Sequence, residues 1–133
     1  MISDEYYELI AKLVKRTLSG EVNWKATSDD NQFVLYFNNF SLSVYQATDQ
    51  NSGEEFARIV LLNDDGKEID SFWVSERDEH WEIASNLFTG ARRKALKIDE
   101  ALHTILDELD GDGTVGKKEA PNKKTPFDDD IPF

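Results

Sequence analysis

The stretch FVLYFNNFSLSVYQ, residues 33–46, decides the fold. Both of its halves are rich in aromatic and β-branched residues, and Asn38 and Asn39 separate them. Asparagine tolerates the positive φ angles that tight two-residue turns require, so the pattern predicts a β-hairpin. The two antiparallel strands of this hairpin are expected at residues 33–37 and 40–46.

A second hairpin follows, with Asp64, Asp65 and Gly66 between two further runs that alternate in polarity. An Asp-Gly pair in this position is a strong hairpin signal. Upstream of both hairpins, Val22, Trp24 and Ala26 alternate with polar residues, which indicates one more short strand. A five-stranded meander is the simplest arrangement, with strands expected at residues 22–26, 33–37, 40–46, 56–63 and 67–75.

Helical periodicity flanks these strands. Residues 4–19 place apolar side chains at steps of three and four, and Ser3 precedes them as a natural cap. After the strands, Ser75 and Asp78 have the spacing of a capping box, which predicts a helix that ends near Gly90. A longer helix is expected next, with an apolar stripe that we expect to be buried. The stripe comprises Ala91, Ala95, Ile98, Leu102, Ile105, Leu106 and Leu109.

The predicted fold class is therefore α+β, with an N-terminal helix, a mostly antiparallel five-stranded sheet and two C-terminal helices on one face of the sheet. Residues 1–109 form the predicted globular domain. After Leu109 the composition becomes rich in glycine, proline and lysine, with almost no apolar side chains to bury. Such a segment does not offset its own ordering entropy, so residues 110–126 are expected to form a flexible linker before residues 127–133.

Composition excludes several classes of function. The 133 residues contain no cysteine, which removes disulfides, thiolate nucleophiles and cysteine-based metal sites. The net charge of −12 disfavours a general nucleic-acid binder, because such a surface repels phosphates at long range, although a local basic groove can lie on an acidic protein. The acidic N-terminus does not resemble a signal peptide, and no apolar run is long enough to span a membrane. We expect a cytoplasmic protein.

No residue pattern favours an enzyme or a bound metal. Asp110 and Asn63 each open a short stretch that begins like a calcium-binding loop, but Pro121 and Val74 occupy the twelfth position, where that loop needs glutamate. Phosphate-binding and nucleophile motifs are absent from the sequence. The sequence therefore predicts no catalytic residues and no cofactor. Neither His80 nor His103 lies at a spacing that is typical of zinc ligands.

Two features of the predicted domain are compatible with binding. The first is a basic cluster, which either contacts a phosphate backbone or an acidic partner, or is the solvent face of a helix. It consists of Arg92, Arg93, Lys94 and Lys97. The second is a set of aromatic residues that offer stacking platforms for bases, although their spacing places most of them in the core. They are Trp24, Phe33, Tyr36, Phe40, Tyr45, Phe72, Trp73 and Trp81.

The last seven residues, FDDDIPF, combine three carboxylates with an apolar end. Disordered segments avoid exposed apolar side chains, so this composition suggests a short ligand for another protein. Phe133 offers a ring to an apolar pocket, its α-carboxylate offers a partner to arginine, and Pro132 restricts the backbone beforehand. The predicted docking residues are Asp128, Asp129, Asp130, Ile131, Pro132 and Phe133.

These six residues resemble the C-terminal tip of bacterial single-stranded DNA-binding protein (SSB), in which a polar linker also precedes the tip. The resemblance implies docking onto genome-maintenance proteins through a pocket with an apolar hole and a basic rim. It does not extend to residues 1–109, because the body of SSB is an OB-fold that starts in strands. Single-stranded DNA binding by the body is therefore not inherited.

Three functional hypotheses follow. The first is a non-enzymatic interaction protein of bacterial replication, recombination or repair that recruits the partners of SSB or competes for them. The sequence leaves open whether a chromosome, a phage or a mobile element encodes it. The second is a single-stranded DNA-binding protein with an unrelated fold, which uses sheet aromatics and the basic cluster. The third is an acidic decoy of DNA or an immunity-type inhibitor, which the charge of the body suggests. The sequence leaves the oligomeric state open.

Overall fold

The computed structural model describes residues 3–116 and confirms the predicted α+β class. Three helices accompany one antiparallel sheet, whose strands lie side by side in chain order. Residues up to Glu100 form one compact unit, and a second unit begins at Ala101. The elements are α1 (Asp4–Leu18), β1 (Lys25–Ala26), β2 (Gln32–Tyr36), β3 (Ser41–Thr48), β4 (Glu55–Leu62), β5 (Glu68–Ser75), α2 (Trp81–Ala95) and α3 (Ile98–Asp110).

Both predicted hairpins are present. In the first, the backbone N–H of Phe37 donates to the carbonyl of Phe40 at 2.8 Å, so that Asn38 and Asn39 form the turn. The expected reason was wrong, because among the described non-glycine residues only Lys97 has a positive φ. The two asparagines therefore make this turn without entering the left-handed region.

The second hairpin turns at a glycine with positive φ. Gly66 has a φ of 81°. The Oδ1 atom of Asn63 accepts hydrogen bonds from the backbone N–H groups of Asp65 and Lys67, each at 3.0 Å. The amide oxygen of Asn63 closes the turn, so this stretch is the predicted hairpin loop.

One face of the sheet forms the core with α1 and α2. The strands contribute alternate residues to this cluster, as the two-residue period of a strand requires. The cluster excludes the intervening residues, which lie on the opposite face. Its buried members are Ile10 and Leu13 of α1, Phe33, Leu35, Leu42, Val44, Ala57, Ile59 and Val74 of the sheet, and Ala84, Leu87, Phe88 and Ala91 of α2, together with Trp24.

Gly90 lies inside α2, where it faces α1, and the prediction that the helix ends there was wrong. A Cβ atom at this position would lie 3.0 Å from Cγ2 of Thr17. The hydroxyl of Thr17 is itself fixed, because it accepts a hydrogen bond of 3.0 Å from Nε1 of the buried Trp24. Gly90 therefore permits the close approach of two helices and does not terminate one.

The start of α2 also differs from the prediction. Ser75 remains in β5, and the helix begins at Trp81 after a His80 cap that makes no side-chain capping bond. Asp78 shapes the intervening turn, since its Oδ1 atom accepts from the N–H of His80 at 2.9 Å and its carbonyl accepts from Trp81 at 3.0 Å. The strand ladder thus keeps Ser75 from acting as a helix cap.

The two C-terminal helices separate at Leu96 and Lys97, later than predicted. Lys97 has a φ of 55°, which ends the right-handed helical path. None of the residues of α3 is buried, so the expectation of a buried stripe was wrong for its members from Ile98 to Leu109. It was right for Ala91, which lies in α2 and is buried in the core. The exposed fractions are 46% for Leu102, 52% for Ile105, 54% for Leu106 and 58% for Leu109.

β1 is shorter than the predicted strand at residues 22–26, since only Lys25 and Ala26 pair with β2. Trp24 is nevertheless buried, because its ring packs into the core and its Nε1 atom is bonded to Thr17. The predicted linker is described only as far as Gly116, where residues 111–116 form neither helix nor strand.

Candidate functional site

The candidate site lies on the face of the sheet opposite α1 and α2. On this face Tyr45 of β3 stands opposite Arg58 of β4, and Arg58 stands opposite Trp73 of β5. Phe56, two residues before Arg58, lies on the same face because strand side chains alternate. The register therefore brings aromatic residues from three strands together on a surface that neither α1 nor α2 covers.

Tyr45, Phe56 and Trp73 form a continuous aromatic row. The ring centroids of Tyr45 and Phe56 are 6.1 Å apart, and those of Phe56 and Trp73 are 4.8 Å apart. Both pairs are tilted, in the range of favourable aromatic contacts. The side chain of Trp73 is 55% exposed, so the row ends in a ring that is accessible to a ligand.

Arg58 is the cation of this face. Its Cζ atom lies 5.5 Å from the centroid of the Trp73 ring, within cation–π distance. Its Nη2 atom donates to both carboxylate oxygens of Glu68, at 2.9 and 3.1 Å. The Nε atom of Arg58 is buried without a hydrogen-bond partner. The charge of Arg58 is thus paired with that of Glu68, and its Nε donor has no hydrogen-bond partner.

A groove of about 350 Å³ shares Arg58 with this face of the sheet. The floor of the groove is formed by the hydroxyls of Ser41 and Ser43 and by the side chains of Val34 and Val60. All four residues are buried, although neither α1 nor α2 covers this face. Gln32 spans part of the floor, where its Nε2 atom donates to Oγ of Ser43 at 3.3 Å. The face therefore offers a polar and apolar floor beside the exposed ring of Tyr36 and the side chain of Arg58. The groove is also lined by Thr27, Tyr36, Arg58, Leu62, Gly66 and Glu68.

The predicted basic cluster lies elsewhere. Arg92, Arg93 and Lys94 occupy the last turn of α2, where cations favourably oppose the helix dipole. Arg93 is ion-paired with Asp99, and Nζ of Lys94 lies 3.9 Å from the same carboxylate. Because α2 covers the opposite face of the sheet, the structure does not bring this cluster together with the aromatic row. Lys97, its fourth member, follows at the junction between the helices.

The predicted aromatic platforms divide between the core and the surface. Trp24 and Phe33 are buried, and Phe72 and Trp81 pack partly buried against the core. The exposed or half-buried members are Tyr36, Phe40, Tyr45 and Trp73. The sequence analysis did not single out Phe56 and Arg58, which complete the row. Their two-residue spacing in β4 places them on one face, but the residues opposite them depend on the register between strands.

Outside this face, a hydrogen bond between side chains links α1 to the sheet. The hydroxyl of Tyr6 in α1 donates a hydrogen bond to the carboxylate of Asp70 in β5. This bond and partial burial raise the pKa of Tyr6 to about 12. The ring of Tyr6 also contacts that of Phe72, with centroids 4.5 Å apart. The contact fixes α1 to the far edge of the sheet and has no evident catalytic use.

The described residues contain no group of three or more histidine, aspartate or glutamate side chains that could hold a metal ion. The ring of His80 packs against that of Tyr7, with centroids 4.9 Å apart, and His103 lies on α3.

No helix in residues 3–116 is long and apolar enough to cross a bilayer. The predicted docking residues 128–133 lie outside the described residues. Comparison with known proteins gives no match for this chain to any protein-family model, curated protein or solved structure.

Proposed function

We propose that this chain is a non-enzymatic interaction protein of bacterial genome maintenance, which acts in the cytoplasm through residues 128–133. The observation that carries the proposal is the sequence DDDIPF, which resembles the tip of SSB. Through this peptide the protein docks onto the partners of SSB, and it either recruits them or competes with SSB for them.

The chemistry of the peptide supports this proposal. Burial of the Phe133 side chain contributes about 1.5–3 kcal/mol. Asp128, Asp129 and Asp130 face the basic rim expected of such a partner, where they guide the encounter and add salt-dependent affinity. A short peptide of this kind reaches micromolar affinity, or about −8 kcal/mol, without contacts from the remainder of the chain.

The test is a calorimetric titration of intact protein and of a Phe133-deleted form against a tip-binding partner such as exonuclease I. We expect the intact protein to bind with micromolar affinity and the shortened form to lose binding. Replacement of all three aspartates with asparagine should weaken binding less and reduce its dependence on salt, because rim charges remain partly solvated. Equal binding by the intact and shortened forms would refute the proposal.

A second candidate function is single-stranded nucleic-acid binding on the open face of the sheet. The aromatic row favours it, because its exposed Trp73 ring offers a surface for base stacking, which contributes about 1–3 kcal/mol per base. The net charge of −12 and the pairing of Arg58 with Glu68 oppose it. The basic cluster does not contribute, because α2 lies across the opposite face.

A fluorescence-polarisation titration with labelled oligo-dT at low and moderate salt tests this candidate. Tight and salt-sensitive binding that is lost on Trp73→Ala would support it. Ile69→Ala is the matched control, because Ile69 is also half exposed on β5 but lies outside the aromatic row. Absence of binding at low salt, or equal losses in the two variants, would remove this candidate.

A further inference from the structure

A second groove, of about 500 Å³, lies between α1 and the end of β2. Its apolar lining comes from α1, from the segment before β1 and from β2, so three separate parts of the fold form it. Phe37 at its end is 50% exposed, which leaves an aromatic ring without a full set of neighbours. The apolar lining consists of Leu9, Leu13, Val22, Leu35, Tyr36 and Phe37.

The groove follows a free edge of the sheet. β1 pairs with β2 only at Val34 and Phe33, so Leu35 and Tyr36 extend past the end of β1. In an antiparallel pair, residues alternate between those whose backbone groups bond to the neighbouring strand and those whose groups point away from it. Because Phe37 bonds to Phe40, Leu35 bonds to β3, whereas Tyr36 does not. The backbone N–H and C=O of Tyr36 therefore point toward the free edge, where an extended peptide can add as a strand.

Two cations line this groove on an otherwise acidic protein. Lys12 and Arg16 lie one helical turn apart on α1. Nζ of Lys12 is 2.9 Å from Glu8, and Nε of Arg16 is 3.4 Å from Glu21, which also lines the groove. Both pairs are solvent-exposed, and such pairs contribute only about 0–1 kcal/mol. Carboxylates of a ligand can therefore replace Glu8 and Glu21 at little cost.

We propose that this groove binds an extended peptide of a partner protein in which carboxylates precede an apolar end. The backbone of the peptide adds as a strand beside Tyr36, its apolar end contacts the lining around Val22 and Phe37, and its carboxylates pair with Lys12 and Arg16. Strand addition supplies the main-chain bonds, and the lining and the two cations select the sequence. This site is separate from the tip and does not rest on the proposed function.

The test uses the full chain without Phe133, so that the receptor carries no intact copy of the probe. The probe is a fluorescently labelled DDDIPF peptide, with an NNNIPF peptide for comparison. We expect micromolar binding of the first peptide. The double variant Lys12→Glu/Arg16→Glu should weaken it about tenfold or more, which corresponds to about 1.4 kcal/mol. Weak binding by NNNIPF would confirm that carboxylates are recognised.

A matched control excludes a general effect of charge. Lys25→Glu/Lys67→Glu makes the same change in net charge at exposed positions that do not line the groove. We expect this variant to bind DDDIPF as the parent does. Equal losses in the two double variants, or no loss in either, would overturn the proposal.

A second pair of variants tests the apolar lining and the strand addition. Phe37→Ser should weaken binding, whereas Phe40→Ser should not, since Phe40 is 49% exposed but does not line the groove. In an NMR titration, hydrogen exchange of the Tyr36 amide should slow when the peptide is added. Peptide-induced shifts centred on Trp73, or unchanged exchange at Tyr36, would refute this mode of binding.

Discussion

Helices α2 and α3 have similar apolar patterns in the sequence but differ in burial in the structure. Each carries an apolar stripe at helical spacing, over 15 residues in α2 and 13 in α3. The stripe of α2 is buried and includes Ala84, Gly90 and Ala91, whose small size allows close approach to neighbouring elements. That of α3 carries large aliphatic residues and is exposed. Periodicity thus shows which side chains share a face, but not whether that face is covered.

The same comparison bears on the stability of α3. An isolated helix of about 12–15 residues is marginal in water, because nucleation is costly and packing normally supplies most of the stability. Asp99 and Glu100 in the first turn of α3 favour the helix through its dipole, but they contribute only about 0.3–1 kcal/mol each. We therefore expect α3 to respond to mutation very differently from α2.

The largest effect is expected from Leu87→Ala in α2. Leu87 is fully buried in the core cluster, so truncation leaves a cavity and should lower the free energy of unfolding by about 2–5 kcal/mol. Urea denaturation monitored by circular dichroism measures the loss. A loss below about 0.5 kcal/mol would mean that α2, like α3, does not belong to the core.

Gly90→Ala tests the close approach of α1 and α2. The added methyl group meets Thr17 at 3.0 Å, and overpacking of this kind costs about 1–3 kcal/mol. The gain in helix propensity, about 1 kcal/mol, offsets part of this cost. We expect a net loss of about 1 kcal/mol in urea denaturation.

Thr17→Ser provides the control for Gly90→Ala. It removes the methyl group in the close contact but keeps the hydroxyl that bonds Trp24. The loss caused by Gly90→Ala should therefore be smaller in the Thr17→Ser background. An undiminished loss would show that the contact with Thr17 is not its cause.

Leu102→Ala should have a much smaller effect than Leu87→Ala. Because Leu102 is 46% exposed, we expect a change within about 0.5 kcal/mol in the free energy of unfolding. The same urea experiment provides the comparison. A loss of about 2–5 kcal/mol would indicate that the stripe of α3 is buried in solution and would remove the difference between the two helices.

The last effect depends on pH and concerns Tyr6, which fixes α1 to the sheet. Because its folded-state pKa is about 12 against an ordinary value of 10.0, the unfolded chain loses the proton first as pH rises. The stabilisation is therefore present in full below pH 10 and is lost between pH 10 and 12. The stability of the parent should fall more steeply over this interval than that of Tyr6→Phe, as measured by urea denaturation at each pH. Parallel curves would contradict the assignment.

Local signals in the sequence predicted the elements that depend on local chemistry. Ser3 caps α1, with its side chain accepting from the N–H of Tyr6 at 3.3 Å, and the Asp-Gly turn joins β4 and β5. The errors arose where tertiary contacts decide. Gly90 reads as a helix terminator until α1 is placed against it, and nothing local marks Lys97 as the residue that separates α2 from α3.

The candidate site was only partly predictable for the same reason. Tyr45 and Trp73 are aromatic residues in recognisable strands, so the sequence identified both. Their approach to Phe56 and Arg58 depends on the register of three strands, and a register irregularity at Leu61 and Leu62 shifts the pairing of β4 with β5. A one-residue error in register reverses the faces of a strand, so alternation alone does not identify the row.

The three tryptophans differ in exposure, so their intrinsic fluorescence reports separate events in the protein. Trp24 is 2% exposed in the core, whereas Trp73 ends the aromatic row on the open face. A ligand on that face should quench the emission of Trp73 and leave that of Trp24 unchanged, while unfolding should shift the emission of Trp24 to the red. With Trp81 and Trp24 replaced by phenylalanine, the emission reports ligand binding at Trp73. With Trp81 and Trp73 replaced, it reports loss of the core around Trp24, so two unlabelled variants separate the two events.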